Sequence, residues 1–70
     1  MDVREAVLTV LREESGPLHW TVILDLALRR GYVDPFVVRD VRKRILTELA
    51  AAVRDGDVVR ASTGVYALPG

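Results

Sequence analysis

The C-terminal part of the chain most constrains the fold, because it predicts a β-hairpin that needs support. Two short runs, Val58-Val59-Arg60 and Val65-Tyr66-Ala67-Leu68, are rich in β-branched and aromatic residues. They flank a four-residue loop, 61–64, that contains a glycine, a pattern typical of a hairpin. An isolated two-stranded hairpin is marginally stable at best in water. The hairpin must therefore pack on helices formed earlier in the chain, and Leu18-His19 is the available third strand.

The first predicted helix spans Val3–Glu14. Its apolar residues recur every three or four positions, which places them on one face. Asp2 precedes the helix as an N-cap, and Glu5 follows three residues later, as in a capping box. Ser15-Gly16-Pro17 ends the helix, with the glycine as the expected C-cap and the proline as a residue that cannot continue it.

The second predicted helix starts at Trp20 or Thr21 and continues to Arg30. Its N-cap is either His19 or Thr21, and the residue types alone leave both open. Gly31 supplies the C-terminal stop. The two arginines before it suit the negative end of a helix dipole, which accounts for them without a binding role.

The third predicted helix is the longest. Asp34-Pro35 opens it, as an N-cap followed by proline at the first helical position, and it continues to about Arg54, before Gly56. Five apolar residues fall on one narrow stripe, which must face the core. They are Val38, Val41, Ile45, Leu49 and Ala52. The connection from the second helix, Gly31-Tyr32-Val33-Asp34, is then short, as the turn of a helix-turn-helix requires.

The order of these elements predicts the fold class. The chain has 70 residues, a length at which a single core forms, so we expect residues 1–70 to make one domain. The predicted order is helix, short strand, helix, helix and hairpin. Three helices with a small antiparallel sheet in this order form an α+β winged helix-turn-helix, α-β-α-α-β-β.

Composition excludes several kinds of site. There is no cysteine and one histidine, which excludes disulfides, thiolate metal sites and multi-histidine metal sites. No apolar run is long enough to span a membrane, and the N-terminus lacks the pattern of a signal peptide, so we expect a cytoplasmic protein. Phosphate-binding glycine motifs are absent, and His19 fits a capping role better than a catalytic one. We expect no enzyme activity, no catalytic residue, no cofactor, no metal and no small-molecule substrate.

The net charge of zero hides an uneven distribution. Residues 29–44 carry six cations and two carboxylates, whereas residues 1–28 carry two cations and five carboxylates. Because surface potential depends on where charges lie, a neutral protein can still attract an anionic partner to one face. On the predicted third helix, Arg39, Lys43 and Thr47 are four residues apart and form a row opposite the core stripe.

This basic row favours double-stranded DNA as the partner. In a helix-turn-helix, the second helix of the motif enters the major groove by its N-terminal half. Arginine donates in a fork to guanine, and lysine suits phosphate. Arg42 and Arg44 flank the stripe as expected phosphate contacts, and the hairpin forms a wing near the backbone or minor groove. The candidate DNA-binding residues are Arg39, Arg42, Lys43, Arg44, Thr47, Arg60, Ser62 and Thr63.

Short motifs over nearly the whole chain resemble the HARE-HTH family of winged helices. The segments that carry the resemblance are Leu8-Thr9-Val10-Leu11, Gly16-Pro17-Leu18-His19-Trp20, Ile23, Ala27, Gly31-Tyr32 and Gly64-Val65-Tyr66-Ala67-Leu68. Asp34-Pro35 falls where that family places a Thr-Pro, so the aspartate is a departure. The RNA polymerase delta subunit, restriction-type proteins and chromatin regulators carry related domains. The resemblance implies a DNA-binding or transcription-linked adaptor module, and no residue role is carried over from it.

A protein-interaction or dimerisation module is the alternative. The sequence pI of 6.6 is below the basic value typical of a DNA-binding domain. In this alternative Phe36, Leu46 and Tyr32 form an exposed apolar patch, beside arginines that pair with an acidic partner.

A single neutral copy has few phosphate contacts and binds DNA weakly, so we also expect a homodimer or a larger complex.

Overall fold

The computed structural model describes residues 1–70 as three α-helices and a three-stranded antiparallel sheet. The helices are α1 (Val3–Glu14), α2 (Trp20–Arg29) and α3 (Val41–Asp55), and the strands are β1 (Leu18–His19), β2 (Val59–Ser62) and β3 (Val65–Ala67). The chain order is α1-β1-α2-α3-β2-β3, which confirms the predicted α+β winged helix-turn-helix layout. None of the three helices combines the length and apolarity that crossing a membrane requires.

The core lies between the helices and is entirely aliphatic. Its buried residues are Val3, Ala6, Val7, Val10, Leu11, Ile23, Ala27, Val33, Ile45, Leu49, Ala52 and Val58. No polar side chain is buried among them. The aromatic residues Trp20, Tyr32 and Tyr66 pack against the edge of this core and stay partly exposed. These three aromatic side chains therefore border the core and also reach the surface.

The predicted apolar stripe is confirmed along α3. Ile45, Leu49 and Ala52 are fully buried, and Val41 is half-buried at the start of the helix. Val38 also packs on the core, but from the segment that precedes the helix. Because the stripe fixes the rotation of α3 about its own axis, the remaining faces of the helix point away from the core.

The third helix starts later than predicted, because Asp34 caps only a single turn. The Oδ1 of Asp34 accepts a hydrogen bond from the backbone N–H of Phe36 at 2.9 Å. Its carbonyl accepts from the N–H groups of Val37 and Val38 at 3.1 and 3.0 Å. The turn is not continued into a helix. The two consecutive β-branched valines have lower helix propensity than unbranched residues, and Val38 reaches the core from this turn.

Asp40 is the N-cap of α3. Its backbone adopts the left-handed conformation, with φ 48°, and its Oδ1 accepts a hydrogen bond from the N–H of Lys43 at 3.2 Å. Aspartate tolerates this conformation better than most residues. The connection between α2 and α3 therefore covers residues 30–40, and the prediction of a short turn from Gly31 to Asp34 is wrong.

The sheet has the order β1-β3-β2, so that β3 is central. Tyr66 of β3 lies opposite Leu18 on one side and Arg60 on the other. Pairing continues to Ser62 after a register irregularity, which leaves Thr63-Gly64 as the turn. The predicted four-residue loop is thus too long, because the ladder extends two residues further along β2.

The helix ends agree with the sequence in most places. Asp2 caps α1 by accepting from the N–H of Glu5 at 2.8 Å, and His19 rather than Thr21 is the N-cap of α2. At the end of α1, however, Ser15 rather than Gly16 takes the left-handed conformation, with φ 55°. The hydroxyl of Ser15 donates to the carbonyl of Arg12 at 3.4 Å, a local bond that glycine does not offer.

A polar cluster joins the C-terminal ends of α1 and α2. The guanidinium of Arg30 donates to Glu13 at 2.9 Å and to Glu14 at 2.8 Å, and the hydroxyl of Tyr32 donates to Glu13 at 2.7 Å. The hydrogen bond to Glu13 raises the pKa of the Tyr32 phenol above its usual value, and loss of solvent and the charge of Glu13 add to the effect. Arg30 and Tyr32 therefore have a structural role.

The raised pKa of Tyr32 predicts that the fold loses stability at high pH. A group whose pKa is higher in the folded state stabilises the fold fully below its unfolded pKa, about 10 for tyrosine, and this contribution disappears as the pH rises through the folded pKa. In a Tyr66→Phe variant Tyr32 is the only tyrosine, and tyrosinate absorbance should appear at higher pH in the folded than in the denatured protein. Ionisation at the same pH in both states would contradict the Glu13 contact.

Candidate nucleic-acid interface

One exposed surface of α3 brings together three of the eight residues predicted for DNA binding, Arg42, Lys43 and Thr47. We call it the α3 face. It is a shallow depression lined by Asp40, Arg42, Lys43, Leu46, Thr47 and Ala50. Lys43 and Thr47 are one helical turn apart, as predicted, and Arg42 lies beside them rather than on a separate flank. The rotation of α3 that buries Ile45 and Leu49 is what turns these side chains outward.

Arg39 is not part of this helical row. It lies in the segment before α3, between the single turn capped by Asp34 and the N-cap Asp40. Its side chain is exposed and forms no ion pair. The predicted spacing of Arg39, Lys43 and Thr47 assumed a helix through residue 39, and the left-handed Asp40 breaks that helix. Arg39 therefore stands at the N-terminal border of the α3 face.

Arg42 is held by an aromatic contact. Its guanidinium carbon lies 5.1 Å from the centroid of the Trp20 ring, a distance typical of a cation–π interaction. The backbone N–H of Trp20 in turn donates to the carbonyl of Gly64 at 2.9 Å. Trp20 thus contacts both the N-terminal part of α3 and the turn of the hairpin. No spacing rule in the sequence indicates that Trp20 pairs with Arg42.

His19 completes the contact between α2 and the hairpin turn. Its Nδ1 accepts from the N–H of Thr21 at 3.3 Å and lies 2.8 Å from the hydroxyl of Thr21. Its ring centroid is 5.7 Å from that of Trp20. Gly64 has φ +72°, and a Cβ on this residue would lie 2.8 Å from Nε2 of His19. Glycine is therefore required both by the backbone conformation and by the close approach of the ring.

The hairpin residues predicted for DNA binding are all exposed. Arg60 and Ser62 belong to β2, the edge strand, and Thr63 lies in the turn next to Gly64. Arg60 forms no ion pair. Because Gly64 contacts Trp20 and Trp20 contacts Arg42, the turn of the hairpin adjoins the α3 face rather than a remote surface.

Arg44 points to a different side of the molecule. Its Nε lies 3.4 Å from Glu48, one turn further along α3, and the two residues border a second depression with Asp2, Val3 and Arg4. A guanidinium paired with a carboxylate attracts a phosphate less than a free one does. The structure therefore separates Arg44 from Arg42 and Lys43.

Ion pairs divide the cations of the chain into two groups. Four arginines pair with carboxylates: Arg4, Arg29, Arg30 and Arg44. Six cations have no carboxylate partner: Arg12, Arg39, Arg42, Lys43, Arg54 and Arg60. Four of these six belong to the α3 face, its N-terminal border or the hairpin. The unpaired positive charge of a neutral protein is thus concentrated on one side of α3.

Arg4 and Arg30 show the opposite arrangement, in which a cation is surrounded by carboxylates. Arg4 donates to Glu48, Asp55 and Asp57, each at 3.2 Å, and so joins α1 to the C-terminal end of α3. The hydrogen bond to Glu48 is the largest cause that raises the pKa of Arg4, and the hydrogen bond to Glu14 is the largest at Arg30. These carboxylate-rich clusters lie on surfaces other than the α3 face.

The chain matches no protein-family model, no curated protein and no solved structure in the comparisons made with each. The candidate interface is therefore supported by its own residues and contacts.

The fit of Gly64 against His19 predicts that Gly64→Ala destabilises the fold by about 1 kcal/mol or more, because alanine is strained at positive φ and its Cβ displaces the His19 cap. Thermal unfolding measures the loss, and the fluorescence of Trp20, the single tryptophan, should change with it. Combining Gly64→Ala with His19→Ser retains a capping residue without the ring, and should recover the part of the loss that comes from the clash. Unchanged stability of Gly64→Ala alone would contradict the close approach.

Proposed function

We propose that this chain is a winged-helix module that binds double-stranded DNA in transcription or DNA metabolism, and that it is not an enzyme. In this proposal the N-terminal half of α3 enters the major groove and the β2–β3 hairpin acts as the wing. The observation that carries the proposal is the position of Arg42 and Lys43. Both are free of carboxylate partners and share the exposed α3 face, and Arg42 adjoins the hairpin turn through Trp20.

The residues of the α3 face have different expected roles. Lys43 carries a compact, flexible charge that suits a phosphate oxygen. Arg42 presents a planar guanidinium already oriented by the Trp20 ring, which favours a directed contact with a base edge or phosphate. Thr47 offers a hydroxyl one turn further on. Arg39 contacts the backbone at the border of the face.

The hairpin supplies further contacts to the DNA backbone. Arg60 provides a free cation on the edge strand, and the hydroxyls of Ser62 and Thr63 lie next to the turn that contacts Trp20. Such contacts position a protein on the duplex without reading its sequence. Arg44 is not included in the proposed contact set, because it does not line the α3 face and its Nε pairs with Glu48.

A protein-interaction module remains the second candidate, and one observation favours it. Phe36 is 98% exposed, as this alternative requires. The other members of the predicted apolar patch are less available: Leu46 and Tyr32 are half-buried, and the hydroxyl of Tyr32 is bound to Glu13. Amide chemical shifts recorded with a random duplex at two salt concentrations separate the two candidates. Shifts on α3 that fade with salt indicate DNA, and no shifts indicate a protein partner.

Charge reversal tests the proposed interface. Arg39→Glu combined with Lys43→Glu should reduce the affinity for a random duplex by at least tenfold at about 50 mM salt, because phosphate contacts dominate non-specific binding. The slope of log K against log salt should also become shallower. Fluorescence anisotropy of a labelled duplex measures both quantities, and thermal unfolding checks that the exposed substitutions leave the fold intact.

A matched control separates position from total charge. Arg12→Glu combined with Arg54→Glu changes the net charge by the same amount, and neither cation is paired with a carboxylate. Arg12 lies on α1, and Arg54 lies in the last turn of α3, about 16 Å along the helix axis from Lys43 and therefore outside the N-terminal half that is proposed to enter the groove. We expect this control to lose much less affinity. Equal losses in the two double variants would contradict a localised interface.

Asp40 provides a test in the opposite direction. Asp40→Asn removes a negative charge from the end of the α3 face but retains a residue that caps helices and tolerates left-handed φ. It should raise duplex affinity severalfold at low salt with little change in stability. Asp40→Ala removes the same charge and the cap together, and should cost about 1 kcal/mol of unfolding free energy. If Asp40→Asn binds DNA no more tightly than the parent chain, Asp40 does not face the duplex.

A further inference from the structure

The connection between α2 and α3 exposes the largest apolar side chain that the structure leaves in water. Phe36 is 98% exposed and the adjacent Val37 is 76% exposed. Both follow Pro35, so the three residues form a short apolar tip. We call residues 35–37 the apolar tip. It is the site where the chain places its single phenylalanine, although the core contains no fully buried aromatic side chain.

The apolar tip is held in place by its own turn. Asp34 accepts hydrogen bonds from Phe36 through its side chain and from Val37 and Val38 through its carbonyl. Buried Val33 on one side and partly buried Val38 on the other fasten the turn to the core. Because both ends are anchored, the Phe36 ring is presented outward by an ordered backbone. Little conformational entropy is then lost when the ring meets a partner.

The tip lies at the end of α3 where the unpaired cations are found. Arg39 is three residues from Phe36, so their Cα atoms are within about 11 Å of each other. Arg42 and Lys43 follow in the first turn of the helix. The two carboxylates of this segment, Asp34 and Asp40, accept hydrogen bonds from backbone N–H groups. An exposed aromatic ring beside unpaired cations suits a partner that is negatively charged and also has apolar surfaces. Nucleic acid is such a partner, because it combines phosphates with the faces of its bases.

We infer that Phe36 and Val37 form an apolar wedge that contacts the bases of duplex DNA at the border of the α3 face. The inference rests on the proposed function and deepens it, since it assigns a second, uncharged kind of contact to the same interface. In proteins that bind the minor groove, inserted apolar side chains partly unstack a base step, and in proteins that bind single strands, aromatic rings stack on bases of any sequence. Arg39 and Lys43 would hold the phosphates on either side of such a step.

The small size of the apolar tip argues against two other partners, a second copy of the chain and a membrane. A stable protein interface buries about 800 Å² on each partner, whereas a phenylalanine ring buries about 150–250 Å². Phe36 and Val37 alone are therefore too small for a stable contact with a second copy. One aromatic ring on a chain with no net charge is also a weak membrane anchor. A wedge against bases needs only one or two side chains.

The test compares Phe36→Ala with the parent chain on a duplex that carries 2-aminopurine, a base whose fluorescence rises when it is unstacked. The parent chain should raise this fluorescence on binding, and Phe36→Ala should not. Phe36→Ala should also weaken binding by about tenfold with an unchanged salt slope, because no phosphate contact is lost. Phe36→Trp retains a ring that can stack, and should restore most of the affinity.

Controls make the outcome specific to the apolar tip. Val53→Ala removes another exposed apolar side chain, near the C-terminal end of α3, and should leave binding unchanged. Because Phe36 is almost fully exposed, its substitution should not alter the thermal midpoint. Two further measurements test the other partners, a second copy of the chain and a lipid surface. They are sedimentation of the free chain and binding to vesicles of neutral and anionic phospholipid, each repeated with Phe36→Ala.

Three results would overturn the inference, and they differ in what they leave standing. Equal duplex affinity of the parent chain and Phe36→Ala, with the Arg39 and Lys43 reversals still effective, would refute the wedge and leave the proposed function intact. No binding of the parent chain to any duplex at low salt would refute both. Self-association or vesicle binding that depends on Phe36, without a change in DNA affinity, would assign the tip to a second copy or to a lipid surface.

Discussion

Burial of Ile45, Leu49 and Ala52 against the rest of the core is the interaction on which the candidate interface depends. These side chains are fully inaccessible, and they fix the rotation of α3 about its axis. Lys43 and Thr47 point outward as a consequence of that rotation, not because any contact holds them there. A core of aliphatic side chains can set this geometry because close packing permits only one rotation of the helix. The same packing keeps Arg44 on the side of α3 that faces Glu48 and Arg4.

The carboxylates of the chain complete the arrangement. Six of them pair with four arginines on surfaces away from the α3 face, and Asp2, Asp34 and Asp40 accept hydrogen bonds from backbone N–H groups at turns or helix starts. Exposed ion pairs of this kind each contribute about 0–1 kcal/mol to stability. Their larger effect is on the distribution of charge, since they neutralise cations elsewhere and leave Arg39, Arg42 and Lys43 without partners. A net charge of zero is therefore compatible with a cationic face.

The sequence predicts the elements of this fold well and their junctions less well. Periodicity places α1 and the buried stripe of α3 correctly, because both follow from the burial of one helical face. The predicted start of α3 is wrong, because Asp34-Pro35 and Asp40 are both good helix-start signals. The choice between them depends on how Val38 reaches the core. Arg42 on Trp20 has no signature in the sequence, because the two residues meet only after α2 and α3 have packed. The prediction that Arg39 belongs to the third helix is wrong for the same reason, because Arg39 lies at the junction before Asp40.

The segment where sequence reasoning fails is also the segment with unusual local structure. Asp40 is held at positive φ, and Phe36 is kept in water by a hydrogen-bonded turn. In a continuous helix from Asp34, Phe36 would lie two turns before Lys43 on nearly the same face. The two residues would then belong to one helical surface. The break at Asp40 instead separates the apolar tip from the helix that carries the α3 face. Strained or exposed residues persist where the surrounding structure fixes them, and the connection between α2 and α3 contains both kinds, Asp40 at positive φ and Phe36 in water.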